Sequence, residues 1–383
     1  MDTATIERLE CYIRSLYPHE EKVPLHAPRF LGREKEYLAK CIDSTFVSYV
    51  GEFVTEFEAH ICHLTGARHA VAMVNGTSAL QMMLVTDGVQ REDLVITQAL
   101  TFAATAAAIR HAGGEPAFVD VDQDTLGMSP EALRRFLTDR AKFSNGNTYD
   151  RETGRRIAGV LPMHTFGHPV RIKDIAAICM EYDLKLWEDA AESLGSLNGD
   201  HHTGREGRAA ILSFNGNKGV TTGGGGMLIT DDEMIAQRAT HLSTTAKRKH
   251  PWEFFHDEVG YNLRMPNINA ALGCAQMEYF DQIVTNKRAT ANRYASFCHD
   301  AGIQFFHERA TTRSNYWLNA ILLEDRLARD IFLEHTNSRG IQTRPIWTQL
   351  SKLPPYSSCP RGDLRVSGWL EDRIVNLPSG LRV

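Results

Sequence analysis

Short apolar runs alternate with segments of helical period through the middle of this chain. Ala70 to Val74, Leu94 to Ile96, Ala117 to Val121, Ile157 to Pro162 and Leu184 to Trp187 are brief and mostly apolar, so they read as buried strands. Helical segments lie between them. Asn75 to Leu80 turns directly into Gln81 to Leu84, Thr101 to Ala106 opens a second helix, and Ile172 to Tyr182 forms another. Ser129-Pro130 caps a helix with proline at its favoured first position. Apolar strands separated by helices predict an α/β domain whose sheet is mostly parallel and covered on both faces.

The two ends of the chain read differently. Ile6, Leu9, Ile13 and Leu16 recur at helical spacing within Thr5 to Tyr17, and Phe53 to Leu64 carries a further helical pattern. Beyond about residue 232, a helix over Asp232 to Leu242 leads into a polar, basic loop from Ser243 to Glu258. One long helix is then expected from Asn267 through Ile283 to Arg288, with candidate strands at Leu318 to Leu323 and Ile341 to Arg344. The expected division is an N-terminal helical segment over 1–25, a large domain over 26–256 and a smaller α+β domain over 257–383.

In sheets of this kind ligands bind outside the carboxyl ends of the strands. That rule gathers Asn75-Gly76-Thr77, Thr101-Phe102, His164, Asp189 and Lys218 on one rim, because each follows a short apolar run. Lys218 lies between two apolar runs, Ile211-Leu212 and Met227 to Ile229, beside five glycines in the window Gly219 to Gly226. A run of four glycines permits close backbone approach at an entropic cost. A lysine held there against buried strands is a candidate amine nucleophile for Schiff-base chemistry; a solvated lysine is the plain alternative. A phosphate-loop nucleotide site is excluded, since Lys218 precedes the glycines and no Ser or Thr follows it directly.

Composition narrows the picture. The chain is 43% hydrophobic and 23% charged with a net charge of −5, as in an ordinary globular protein, so bulk charge favours neither nucleic acid nor a membrane surface. Seven scattered cysteines without a C-x-x-C pair argue against a disulfide framework or a zinc site, and no metal is expected. No signal-peptide core or long apolar run is present, so a cytoplasmic protein is expected.

The rim residues together match the needs of one cofactor, pyridoxal 5′-phosphate (PLP). Its aldehyde needs a lysine, and Lys218 is the candidate. Its pyridine nitrogen stays protonated beside a buried carboxylate, for which Asp189 in W-E-D-A-A-E-S is placed. Its phosphate suits a helix N-terminus with hydroxyls, which Gly76, Thr77 and Ser78 supply. Its ring needs an apolar face, which Phe102 offers. Taken singly, each has a structural alternative: a helix cap for Asp189 and Thr77-Ser78, a core position for Phe102, a satisfied buried histidine for His164.

The ordered motifs N-G-T-S-A-L, T-F-A-A-T, H-T-F-G-H-P, W-E-D-A-A-E-S-L-G-S, S-F-N-G-N-K with T-T-G-G-G-G, and G-Y-N-L-R-M-P-N-I-N-A-A-L-G strongly resemble the DegT/StrS nucleotide-sugar aminotransferases, fold-type I PLP enzymes. The resemblance runs from about Pro24 to the terminal N-L-P-S. It implies that Lys218 bonds the cofactor, Asp189 pairs with the ring nitrogen, and Ser213 joins Thr77 and Ser78 at the phosphate. It also implies that Phe102 stacks on the ring, that Glu192 stands where many relatives carry Gln near the 3-hydroxyl, and that Asn262 reaches the phosphate of the neighbouring subunit in a homodimer with shared sites. His164, Lys247, Arg248 and Arg344 are the candidate sugar or diphosphate contacts, with plain solvated charge as the alternative for the last three.

The segment F-V-S-Y-V-G, the T-T-G-G-G-G wording and T-R-P-I-W look most like enzymes of legionaminic acid and bacillosamine pathways. The implied reaction is transfer of an amino group from L-glutamate to C4 of UDP-2-acetamido-4-keto-2,4,6-trideoxyhexose, for surface glycans. Alternatives are amination at C3 or dehydration of a dTDP- or GDP-linked keto sugar, and a non-catalytic regulator with the same fold. Lys218 speaks against dehydration, because the dehydrating branch carries His at that position.

Overall fold

In a computed structural model, which describes residues 1–382, seven strands form the central sheet. In chain order they are β1 (His69–Met73), β2 (Leu94–Gln98), β3 (Glu115–Val119), β4 (Ile157–Leu161), β5 (Lys185–Asp189), β6 (Ala209–Ser213) and β7 (Gly226–Thr230). Their spatial order is β1-β7-β6-β5-β4-β2-β3. β7 alone runs antiparallel, against both β1 and β6, and the other pairs are parallel. The expected α/β fold with a mostly parallel sheet is therefore present. β2, β4 and β7 are buried at every position, as strands covered by helices on both faces must be.

Twelve helices accompany the described strands, and the local signals that form them are visible. Helix α1 (Thr3–Leu16) buries Ile6, Leu9, Ile13 and Leu16, and Asp2 caps it by accepting from the Thr5 amide. The helices α2 (Glu34–Asp43) and α3 (Glu52–Thr65) follow, then α4 (Gly76–Thr86), whose cap Asn75 accepts from the Ser78 amide at 2.8 Å. The helices α5 (Ala103–His111), α6 (Pro130–Arg140) with the expected Ser129-Pro130 cap, α7 (Ile172–Glu181) and α8 (Glu233–Ser243) complete the layers on the sheet.

The long helix expected from Asn267 to Arg288 is broken. α9 (Asn267–Met277) and α10 (Phe280–Ala301) meet at Tyr279, whose φ of −122° and ψ of 24° are not helical. The break turns the Tyr279 hydroxyl into a buried cluster with Glu34 and Gln276, a tertiary demand that helical periodicity does not reveal. The expected strand at 341–344 shrinks to Arg344–Pro345, with Ile341 bridging to Val23 instead.

Packing also draws the domain boundary elsewhere. Ala270, Ala271 and Cys274 of α9 pack with Phe57, Ile61, Phe214 and Met227 of the large domain. The residues of α1 pack with Ala291, Tyr294, Phe332, Val375 and Leu377, so the N-terminal segment belongs to the smaller domain's core and the changeover occurs within α10. That domain holds a second sheet of β8 (Gln304–Phe305), β9 (Asn319–Leu322), β10 (Arg344–Pro345) and β11 (Ile374–Leu377), in the order β8-β9-β11-β10. Helices α11 (Arg326–Ser338) and α12 (Arg365–Glu371) complete it.

One contact sets the depth of the rim. A Cβ on Gly226 would overlap the Asn75 carbonyl and lie 2.7 Å from the Gly76 nitrogen, so the first residue of β7 must be glycine for the turn after β1 to sit against it. Gly226→Ala is expected to cost about 1–3 kcal/mol of stability, the usual range for overpacking, and to weaken cofactor binding through the displaced turn. Chemical denaturation and a cofactor titration of the variant check both.

Candidate active site

The carboxyl ends of β1, β2, β5 and β6 open into a cavity of about 770 Å³, closed on its far side by the smaller domain. Gly76, Thr77, Phe102, Asp189, Glu192, Ser213, Lys218 and Arg344 line it, so eight of the residues singled out by sequence meet there. Ser78, Asn262, His164, Lys247 and Arg248 do not.

The floor is the start of α4. Asn75 uses the Ser78 amide for its cap, while Gly76 and Thr77 occupy the first helical positions, whose amides have no intrahelical acceptor. A Cβ on Gly76 would stand 3.1 Å from Ser213 Cβ and 3.3 Å from its Oγ. The missing side chain thus leaves a cradle of amides and a hydroxyl facing the positive end of a helix, which suits a phosphate.

Asp189, at the end of β5, is 2% exposed. Its Oδ2 accepts from Thr105 Oγ1 at 2.8 Å and its Oδ1 from the Ala191 amide at 3.2 Å. Burial raises its carboxyl above the usual range; these hydrogen bonds and Lys218 only offset part of it. A cation beside it would restore the ionised form. Thr105 in turn is 2.9 Å from the Thr101 hydroxyl, so two threonines of the T-F-A-A-T motif orient the carboxylate.

Lys218 leaves the glycine-rich turn with its side chain 12% exposed. Its Nζ lies 3.3 Å from Glu192 Oε1 and 3.8 Å from the centroid of the Trp317 ring. Glu192 also accepts from the Phe166 amide at 2.9 Å. Burial pushes the Glu192 carboxyl up to about 7, against the pull of Lys218. One side chain ties both neighbours of the lysine: Asn315 donates to the Glu192 carbonyl at 2.9 Å and accepts from the Trp317 amide at 2.8 Å. Phe102 is half exposed at the cavity wall, with its ring 6.1 Å from that of Trp347.

His164 is a correction. Its side chain is fully buried and bonds Glu188 Oε2 at 2.8 Å through Nε2, while Nδ1 accepts from the Val170 amide at 3.2 Å. An Nδ1 that accepts must be unprotonated, so the ring is held as one tautomer with no free edge for substrate. Burial works to raise Glu188, but His164 and the amides of Gly204 and Gly207 outweigh it and hold the carboxyl below its usual value. Lys247 and Arg248 are also elsewhere in this chain. They lie on an exposed hairpin, Lys247 over the Phe254 ring and Arg248 against Asp257 at 2.9 Å. Asn262 is exposed beside that hairpin, bridging to Thr244. Trp317, His26 and Asn376 line the cavity without having been singled out: Trp317 and His26 are isolated residues with no motif around them, and Asn376 opens the terminal N-L-P-S, which marks the resemblance without indicating a role.

The model of the DegT/DnrJ/EryC1/StrS aminotransferase family matches residues 30–383. The chain belongs to that family. It is 32% identical over 362 residues to a GDP-perosamine synthase of Escherichia coli O157:H7, with 93% of each chain covered. It is 30% identical to a GDP-perosamine synthase of Caulobacter vibrioides, over 94% of this chain and 93% of that one. Among solved structures, a DegT DnrJ EryC1 StrS aminotransferase from Brucella abortus superposes with a TM-score of 0.81 at 27% identity, covering 91% of this chain and 90% of that one. DesI, crystallised with its TDP-sugar product, gives 0.82 at 26%, covering 95% and 90%.

This DegT/StrS-family chain is thus a PLP-dependent nucleotide-sugar aminotransferase. The residues present fit that cofactor: the Gly76 cradle, the buried and under-compensated Asp189 and the reachable Lys218 amine share one cavity. No helix among the described residues is long and apolar enough to cross a membrane.

Glu192 makes the cofactor-free protein sensitive to pH. Its folded-state pKa lies above the ordinary glutamate value of 4.5, so the native state binds more protons than the unfolded chain between that value and about 7. The stability this contributes is present below about 4.5 and is lost as pH rises through about 7. Melting of the cofactor-free protein across that window should fall with pH, and Glu192→Gln should flatten the slope.

Proposed function

We propose that the enzyme transfers an amino group from L-glutamate to C4 of a nucleotide-linked 4-keto-6-deoxy sugar. The observation that carries this reading is the meeting of Lys218 Nζ, Asp189 and the Gly76–Ser213 cradle in one cavity large enough for cofactor and sugar together. When bound, PLP supplies an aldehyde and an electron-withdrawing ring. Gly76, Thr77 and Ser213 hold its phosphate, and Asp189 keeps a positive charge on the ring nitrogen from a fully buried position. Phe102, at the cavity wall, would cover one face of the ring. Glu192, oriented by the Phe166 amide, stands beside the lysine, where it would meet the 3-hydroxyl of the bound cofactor.

Lys218 Nζ acts as the general base and acid of the cavity, taking a proton from the α-carbon of the amino donor and returning one to the amino sugar. The Trp317 ring beneath it and the limited exposure of its side chain keep water from competing. Asn262 and the exposed apolar side chains Phe30, Leu31, Phe46 and Val47 support a homodimer in which Asn262 serves the neighbour's site. The motif wording favours a UDP-linked acetamido sugar, whereas the two curated relatives act in GDP-perosamine synthesis, which favours a GDP-linked one.

An absorbance experiment decides among these. The visible band of the wild-type holoenzyme should shift to shorter wavelength with L-glutamate and return with whichever keto sugar, UDP- or GDP-linked, is the substrate. Lys218→Ala should hold PLP without this response, with turnover lower by about 10²–10⁴-fold, the usual contribution of a positioned general acid–base. A wild type that holds PLP and ignores every amino donor would contradict the proposal.

A further inference from the structure

The two walls of the cavity differ in charge. Its acidic lining residues, Asp189 and Glu192, both come from the large domain. The wall from the smaller domain, where His26, Arg344 and Asn376 face the same space, has no acid among the described lining residues. Asn376, on β11, is 2% exposed, and its amide nitrogen has no hydrogen-bond partner. Arg344 is its register partner on β10. The guanidinium bonds only neutral groups, Asn337 Oδ1 at 2.8 Å and the Thr343 carbonyl at 2.9 Å.

Counting protons assigns the third group. Lys287, buried in α10, places Nζ 3.0 Å from the Trp317 carbonyl, 2.7 Å from the Ser379 carbonyl and 2.8 Å from His26 Nε2. An ammonium has three N–H bonds, and these three acceptors use all of them. With Lys287 charged, His26 Nε2 accepts, which puts the ring proton on Nδ1, the buried nitrogen that has no partner in the protein. The ring itself is neutral: burial, then Lys287 and Lys218, hold its pKa well below the usual value. Lys287 has no carboxylate partner among the described residues, so its charged form lacks a counterion, and burial lowers its pKa to about 7.

A buried donor without an acceptor is costly, and so is an uncompensated cation; one ligand oxyanion would relieve both. Resting on the aminotransferase reading, we propose that His26, Asn376 and Arg344 form a second anion-binding subsite, opposite the Gly76–Ser213 cradle, that takes a carboxylate or phosphate oxygen of a reactant. Two reactants carry such oxygens: the amino donor through its carboxylates, and the nucleotide sugar through its diphosphate. The subsite is separate from the cofactor's phosphate cradle, since α4 and Ser213 belong to the large domain and these three residues to the smaller one.

The test titrates PLP-loaded wild type, Asn376→Asp and Arg344→Met calorimetrically with glutarate and, separately, with UDP and GDP. Circular dichroism and the bound-cofactor band show which variants are folded. In a folded variant one probe class should bind about tenfold more weakly, as expected for loss of a charge-assisted contact. Loss of glutarate assigns the subsite to the amino donor, and loss of the nucleoside diphosphates assigns it to the sugar nucleotide. Variants that bind every probe within about twofold of wild type, or a wild type that binds no probe, overturn the proposal. If Asn376→Asp does not fold, Arg344→Met alone decides, since its exposed side chain carries little of the core. The absorbance response of wild type to L-glutamate judges the aminotransferase reading separately, so either can fail without the other.

Discussion

No side chain fits between the first residue of β7 and the peptide that follows β1. The overlap that a Cβ on Gly226 would make with Asn75 holds the turn, and with it the N-terminus of α4, against the end of β6. Everything polar at the rim is referenced to that contact. Ser213 ends β6 beside Gly76, Asp189 ends the neighbouring β5, and the loop carrying Lys218 starts from Ser213 and returns at Gly226. The antiparallel β7 thus brings the chain back to the site that a parallel strand would have left by a crossover. The glycines beyond Lys218 follow from this geometry more than from a need for flexibility.

The same rim concentrates acids where water is absent. The three carboxylates of the W-E-D-A-A-E segment are buried yet have different surroundings. Glu188 faces away from the cavity, satisfied by His164 and by the Gly204, Glu206 and Gly207 amides, and stays ionised as a structural anchor. Asp189 faces the cavity with one hydroxyl and one amide, too little to offset burial, so it awaits a cation. Glu192 touches the lysine itself. Adjacent residues thus divide into framework and function by the number of donors each one has.

Much of this was legible in the residues. Short apolar runs located the strands to within a few positions, and the rule that ligands lie at strand carboxyl ends brought Gly76, Thr77, Phe102, Asp189 and Lys218 together. The rule failed for His164, which also follows a strand, because spacing does not tell whether a side chain has a buried partner; Glu188, adjacent to Asp189, was that partner. It failed again at Tyr279, where one hydroxyl drawn to Glu34 outweighed the continuous helical pattern. The helix α1 was read correctly from its period, but the face it covers depends on α10 and β11, far along the chain.

What stayed hidden shares one property. His26, Trp317 and Asn376 come from three segments spread over most of the chain, joined only by the packing of the smaller domain and by Lys287, whose single amine reaches His26, the Trp317 carbonyl and Ser379, three residues beyond Asn376. The large-domain wall is built from consecutive loops of one sheet and leaves contiguous motifs; the opposite wall joins the T-R-P-I-W segment to residues from distant parts of the chain, whose meeting no single motif reveals. A site so divided can vary one wall while holding Asp189 and Lys218 fixed on the other. That division suits a fold shared by the GDP-perosamine synthases and by DesI, which was crystallised with a TDP-sugar product. Nucleotide choice is therefore to be sought in the pocket's shape and in residues outside the catalytic motifs, where a single sequence is least informative.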